Sequence, residues 1–211
     1  MLITISRQFG AGGSAVARLV AEKLGWSVVD NEIVDLVAQR AGITHEEVAR
    51  LDERTPGFVE RLARTLAASS EELAVPGVVA GTALEEPHIL RITETVVQEV
   101  AAQGRAVLVG RAAVAVLSRQ ADALHVRVVA PKPFRIRVIM ERLKLDARNA
   151  ERALDETDAE RSRYHREHYG RDWDDPINFH MVLNTERLGF NGAAEIVVGR
   201  AKALGWTRKQ H

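Results

Sequence analysis

The densest chemistry in the chain lies in eight residues, Arg7-Gln8-Phe9-Gly10-Ala11-Gly12-Gly13-Ser14, between a short apolar run and a helical pattern. A strand, a glycine-rich loop and a helix start together present backbone N–H groups and the positive end of a helix dipole, which is what a phosphate group needs. Here the donors would be the N–H groups of Gly10, Ala11, Gly12, Gly13, Ser14 and Ala15, with glycine permitting close approach. The usual phosphate-loop pattern is G-x-x-x-x-G-K-[ST]. Laid on it, the first Gly has become Arg7 and the Lys has become Gly13, while Ser14 keeps its place. Two readings follow. Either Arg7 reaches across the loop and supplies the displaced positive charge, or the segment is a glycine-rich turn. Ser14 correspondingly either offers its hydroxyl to a magnesium ion or caps the helix.

Four further residues have side chains suited to the same chemistry. Asp30 directly follows a strand-like segment and can contact an acceptor, help place magnesium through water, or cap the next helix. Arg111 follows the apolar run 106–110 and can grip a phosphate bidentately or form a structural ion pair. Arg161 and Arg163, two apart on a helical pattern, cannot share one face. One can meet a phosphate while the other contacts a neighbouring group, or both belong to a solvated surface laced with glutamates. His165, His168 and His180 lack the spacing of a metal site, and a solvated helix face suits the first two better. Tyr164, Tyr169 and Trp173 can stack on a base or anchor packing.

The elements that must position these groups alternate in type. Leu2–Ser6, Trp26–Val29, 106–110, Leu124–Ala130 and His180–Leu183 read as strands. Helical patterns run over Ser14–Leu24, from Asp30 to about Gly42, from Thr44 with a Thr44/Glu47 capping box, and over His88–Gln103. Others cover Pro133–Leu145, Ala147–His168 and Ala193–Leu204. The span 69–87, with the apolar piece Val75–Ala80, is the least periodic and reads as an excursion of a lid or connection. This alternation predicts an α/β fold with a mainly parallel sheet and helices on both faces. Ligands in such sheets gather at the C-terminal strand ends, where Ser6–Gly13, Asp30 and Gly110-Arg111 all fall.

Across 211 residues, 29 Lys plus Arg balance 29 Asp plus Glu, so the whole molecule has no general attraction for nucleic acid or an anionic membrane. Anion binding must be local. With no cysteine, neither a disulfide nor a thiolate metal site is possible. No apolar stretch approaches a membrane span, and Met1–Ile5 reads as a strand rather than a signal peptide, so a cytoplasmic protein is expected.

The segments "ITISRQFGAGG", "AVLVGRAAVAVL", "ALHVRVVAPKPFRIRVI" and "LDETDAERSRYHREHYGRDWDDPINFHMVLNTERLG" together resemble the cytidylate kinase-like family, a branch of the P-loop nucleoside monophosphate kinases. Its most specific parts here are the S-R-x-x-G-x-G-G opening, the G-R at Gly110-Arg111 and the Y-x-x-x-x-Y-G-x-D-W run from Tyr164 to Trp173. Members of this branch commonly carry the same lysine-less loop. The resemblance implies a P-loop NTPase-like three-layer fold with a helical, arginine-bearing lid. One kinase domain over 1–211 is expected, with an acceptor-binding helical insertion at 30–104 and the lid at 147–176. Ordinary cytidylate kinases have R-D-x-x-D-x-x-R in the lid. Asp155, Asp158 and Arg161 fit it, and Leu154 replaces the first Arg. They also have G-R-D, where this chain has Gly110-Arg111-Ala112.

The resemblance therefore implies transfer of a phosphoryl group from ATP, with Mg2+, to a nucleoside monophosphate, a CMP-like acceptor first. Gly10 to Ala15 would hold the donor, Ser14 the metal, and Arg7, Arg161 and Arg163 the transferring group. Asp30, Arg111 and Asp158 would hold the acceptor. A regulatory nucleotide-binding module without transfer, or a kinase with a non-nucleotide acceptor, are the alternatives that the altered positions 13, 112 and 154 raise.

Overall fold

The computed structural model describes residues 1–30, 86–110 and 112–206. The expected helices after Asp30, the Thr44/Glu47 capping box, residues 69–85 of the 69–87 excursion and Arg111 lie outside them; residues 86 and 87 open a helix instead of closing that excursion. Five strands make one parallel sheet: β1 (Leu2–Arg7), β2 (Ser27–Val29), β3 (Ala106–Val109), β4 (Ala123–Val129) and β5 (Met181–Asn184), in the spatial order β2-β3-β1-β4-β5. Among the described residues six α-helices accompany them: α1 (Gly13–Leu24), α2 (Glu86–Gln103), α3 (Ala113–Val116), α4 (Lys132–Leu143), α5 (Ala147–Tyr169) and α6 (Thr185–Ala203).

Strand alternation decides what each face buries. Ile3, Ile5, Val107, Val109, Leu124, Val126 and Val128 pack with Val16, Val20 and Leu24 of α1 and Ala194, Val197 and Ala201 of α6. Leu2, Leu108 and Ala106 turn the other way, onto Val96, Val97 and Val100 of α2 and Ala113 of α3. Further along this second face the central strands become polar: Thr4, Ser6, His125 and Arg127 are all buried. Thr4 Oγ1 lies 2.7 Å from His125 Nδ1, and Arg127 donates to Ser6 Oγ at 3.1 Å, so β1 and β4 are joined by side chains as well as by their ladder. A third apolar cluster, Phe9, Ile139, Ala150 and Leu154, binds α4 and α5 to the loop after β1.

Two elements depart from the sequence reading. The helix expected over 193–204 starts at Thr185, because Asn184 caps it by accepting the N–H groups of Glu186 and Arg187 at 3.0 and 3.3 Å. Gly189 (φ 65°, ψ 166°) breaks it into two segments, which explains why the periodicity became clear only beyond Gly192. The short α3 leaves no mark in the sequence pattern, since four residues give too little periodicity to read.

Candidate active site

The loop between β1 and α1 is held from several sides. The N–H of Phe9 donates to Asp158 Oδ1 at 2.8 Å, and its carbonyl accepts from Arg135 Nη1 at 3.2 Å. Thr185 Oγ1, at the start of α6, donates to the carbonyl of Ala11 at 2.8 Å, and Gln8 Oε1 accepts the N–H of Ala130 at 3.2 Å. Gly10 (φ 81°) passes so close to α4 that a Cβ there would stand 2.7 Å from the carbonyl oxygen of Arg135. Ser14 does not cap the helix. The N-cap is Gly12, left-handed and without a capping side chain, so the first N–H groups of α1 have no intrahelical acceptor.

Arg7 explains Gly13. A Cβ on Gly13 would lie 2.5 Å from Cβ and 2.8 Å from Cγ of Arg7, so the stem of the arginine fills the space a residue-13 side chain needs. Its guanidinium continues to the end of β3, where a Cβ on Gly110 (φ 73°) would stand 2.9 Å from Cζ. Positions 7 and 13 therefore face each other, and a side chain at 13 would require the Arg7 stem to shift. The Ser14 hydroxyl donates to Asp30 Oδ2 at 2.8 Å, bringing two hard oxygen donors together at the loop.

Arg161, though charged, is buried, and its Nη1 donates to the carbonyl of Arg7 at 3.0 Å. Arg142, which the sequence reading passed over, lies 5.2 Å from the centroid of the Phe9 ring, and Arg161 lies 5.9 Å from it. Loss of solvent lowers the Arg142 guanidinium from its ordinary value, as do Arg161 and Arg7, while Asp30 opposes them. Arg7, Arg142 and Arg161 thus concentrate positive charge beside the open N-terminus of α1. A small recess lies beside them, lined by Ser6, Arg7, Gly110, Arg161, His165 and Trp173 together with Ala112–Val114.

The remaining candidates fall elsewhere. Asp158 has its oxygens engaged within the protein, by the Phe9 N–H and by Arg135 Nη1, so it braces the loop against α5. Arg163, two positions from Arg161 and about 200° around the helix, is not among the residues lining the recess. His165, read as part of a solvated face, is buried, with its ring 6.0 Å from Tyr169 and 6.5 Å from Trp173. The spacing of Leu154, Arg161 and His165 at helical intervals carried that signal. Among the described residues no three His, Asp or Glu gather as a metal cage, and no helix is long and apolar enough to cross a membrane.

Similarity to known proteins converges on the same class. In solved structures the fold recurs in an uncharacterized protein from Eubacterium ventriosum (TM-score 0.69, 18% identity, covering 96% of this chain and 99% of that one). It recurs also in the shikimate kinase of Bacteroides thetaiotaomicron (TM-score 0.53, 14% identity, 97% of each chain) and in that of Acinetobacter baumannii bound to shikimate (0.51, 14%, 96% and 93%). The chain thus shares their α/β P-loop NTPase-like fold. A cytidylate kinase from Methanocella arvoryzae is 34% identical over 90 residues, 40% of this chain, and the match spans about half (51%) of that relative's length. The profile of the cytidylate kinase-like family matches residues 2–187, nearly the whole chain, and to that family the protein belongs.

Proposed function

We propose that the protein transfers the γ-phosphoryl group of ATP, as its magnesium complex, to a nucleoside monophosphate, with a CMP-like acceptor first. The observation that carries this reading is the placement of Arg7 across Gly13. On this reading the positive charge missing from position 13 would come from Arg7, whose stem fills the space at that position and whose guanidinium reaches Gly110.

Phosphoryl transfer asks little covalent chemistry of a protein; it needs positioning and positive charge around the migrating group. Backbone N–H groups of Gly12 to Ala15 would hold the donor phosphates, with the helix dipole aligned toward them. Arg7 extends from that loop to Gly110 and so would span from donor to acceptor, while Arg161, hydrogen-bonded to its carbonyl, would close over the transferring group. Arg142 would add charge from α4. Asp30 and Arg111 would meet the acceptor. Ser14 Oγ and Asp30 Oδ2 form an oxygen donor pair of the kind magnesium accepts while keeping most of its waters. The ion would neutralise charge on the donor phosphates.

Ala112, buried beside the recess where ordinary cytidylate kinases have an acceptor-reading Asp, supports testing a second reading in which the acceptor is a non-nucleotide metabolite. A coupled ADP-release assay with Mg·ATP and a panel of nucleoside monophosphates, followed by small hydroxylated metabolites, decides between them. Turnover with CMP or another monophosphate is the expected result. Turnover only in the metabolite panel moves the acceptor class. ATP binding with no turnover in either panel sinks the kinase reading.

A further inference from the structure

Arg127 is among the largest fully buried side chains, with 1% of its surface exposed, and no role in the transfer chemistry falls to it. It projects from β4 onto the polar second face of the sheet. Nη1 donates to Ser6 Oγ at 3.1 Å, Nη2 pairs with Asp174, and the guanidinium stacks 4.1 Å from the centroid of Trp173 and 5.4 Å from that of Phe179. Its partners belong to two distant parts of the chain. Ser6 is the residue before Arg7 on β1, whereas Trp173 and Asp174 lie in the turn that follows α5, the helix that bears Arg161.

Burying a guanidinium is an expensive way to gain stability, because desolvation offsets most of the attraction and an apolar residue of similar volume commonly does as well. What a planar, forked cation supplies that an apolar side chain cannot is fixed geometry to several partners at once. Both walls that Arg127 holds, Ser6 and Trp173, line the recess that Arg7 and Arg161 also line, yet Arg127 does not itself line it.

We propose that Arg127 is a positioning residue: a buried pin that ties the turn after α5 to the end of β1 and so sets the spacing of Arg7, Arg161 and Trp173 around the recess. The inference rests on the kinase reading for its catalytic consequence and on geometry alone for the pin. Small displacements of charged groups around a transferring phosphate are costly to rate even when binding persists. Losing the pin therefore lowers kcat more than it raises KM for ATP.

The test uses Asp174, whose side chain is 60% exposed, so its substitution removes the pin's charged partner without opening the core. Trp26 and Trp206 stack on each other (centroids 6.1 Å apart) and line no part of the recess. A Trp26→Phe/Trp206→Phe background therefore leaves Trp173 as the sole tryptophan reporter. In that background Asp174→Asn is expected to raise acrylamide quenching of Trp173 about twofold and to lower kcat about tenfold, with KM for ATP changed less than about twofold. The melting midpoint stays within a few degrees, and Asp174→Glu restores both quenching and kcat. Unchanged quenching, or a fall in kcat matched by an equal loss of folded protein, overturns the pin. The quenching measurement needs no turnover. If the wild-type protein transfers no phosphoryl group, the kinase reading fails, and Trp173 quenching still decides the pin.

Discussion

At the scale of single residues, the facing of positions 7 and 13 makes the most specific claim. Because the Arg7 stem lies 2.5 Å from where a Gly13 Cβ would begin, Gly13→Lys does not simply add the motif's missing cation. It collides with the stem of the cation already there. Gly13→Lys alone is expected to inactivate, and Arg7→Gly alone to cost roughly 10²–10³-fold in kcat/KM, the usual scale for removing one preorganised donor to developing charge. The double variant Arg7→Gly/Gly13→Lys rebuilds the ordinary pattern and should recover at least part of the loss. Additive losses in the double variant, measured as a kinetic cycle, would show that the two positions do not share one role.

At the scale of elements, α5 carries most of what positions the loop. Its inward face is apolar at first, with Ala150 and Leu154, and polar further along, with Thr157, Arg161 and His165, so its later turns rely on paired charges. Asp158 is the junction, accepting the Phe9 N–H and pairing with buried Arg135. Asp158→Ala strands that guanidinium and should cost about 3–5 kcal/mol in urea unfolding, whereas Asp158→Asn, which still accepts the N–H, should cost less. Equal midpoints for the two variants would refute this bracing role. The same helix shows what was legible in the sequence. The glycine loop, the strand-terminal Asp30 and the order of strands and helices carry local signals, because turn chemistry and hydrophobic period are written in neighbouring residues. Arg127 and Arg135 carry none of comparable strength. "ALHVRVV" reads as a buried strand, and only the alternation of His125 and Arg127 with valines hints that one face of it is polar. Asp158 likewise sat in a motif that suggested acceptor contact; its part in bracing the loop depends on α4 and α5 meeting there, a tertiary fact that no spacing encodes.

At the scale of the whole molecule, that polar face links stability to pH. His125 is 4% exposed, and its ring stacks on His180 of the β5 side at 5.1 Å between centroids. Its backbone N–H donates to His180 Nδ1 at 2.8 Å, and the N–H of His180 returns to its carbonyl at 2.8 Å, so the pair stitches the segment entering edge strand β5 to β4. Burial first, then the neighbouring His180 and Arg171, lower the His125 pKa from 6.5 to about 4. The folded protein thus refuses a proton that the unfolded chain accepts below pH 6.5. The contribution is fully present above that pH, falls as the pH drops toward 4, and levels off below it. A shift of this size corresponds to roughly 2–3 kcal/mol of stability lost between pH 7 and pH 4. His125→Phe keeps a ring in the stack but cannot titrate. Urea unfolding at pH 7.5, 6.0 and 5.0 should therefore show a shallower decline in unfolding free energy for His125→Phe than for the wild type, whatever the variant's absolute stability. Parallel declines would place the acid sensitivity elsewhere. Because Thr4 and His125 lie on the same two strands as Ser6 and Arg127, charging His125 loosens the sheet beneath the recess. The acid limb of the activity profile should then follow the unfolding curve and shift with it in His125→Phe.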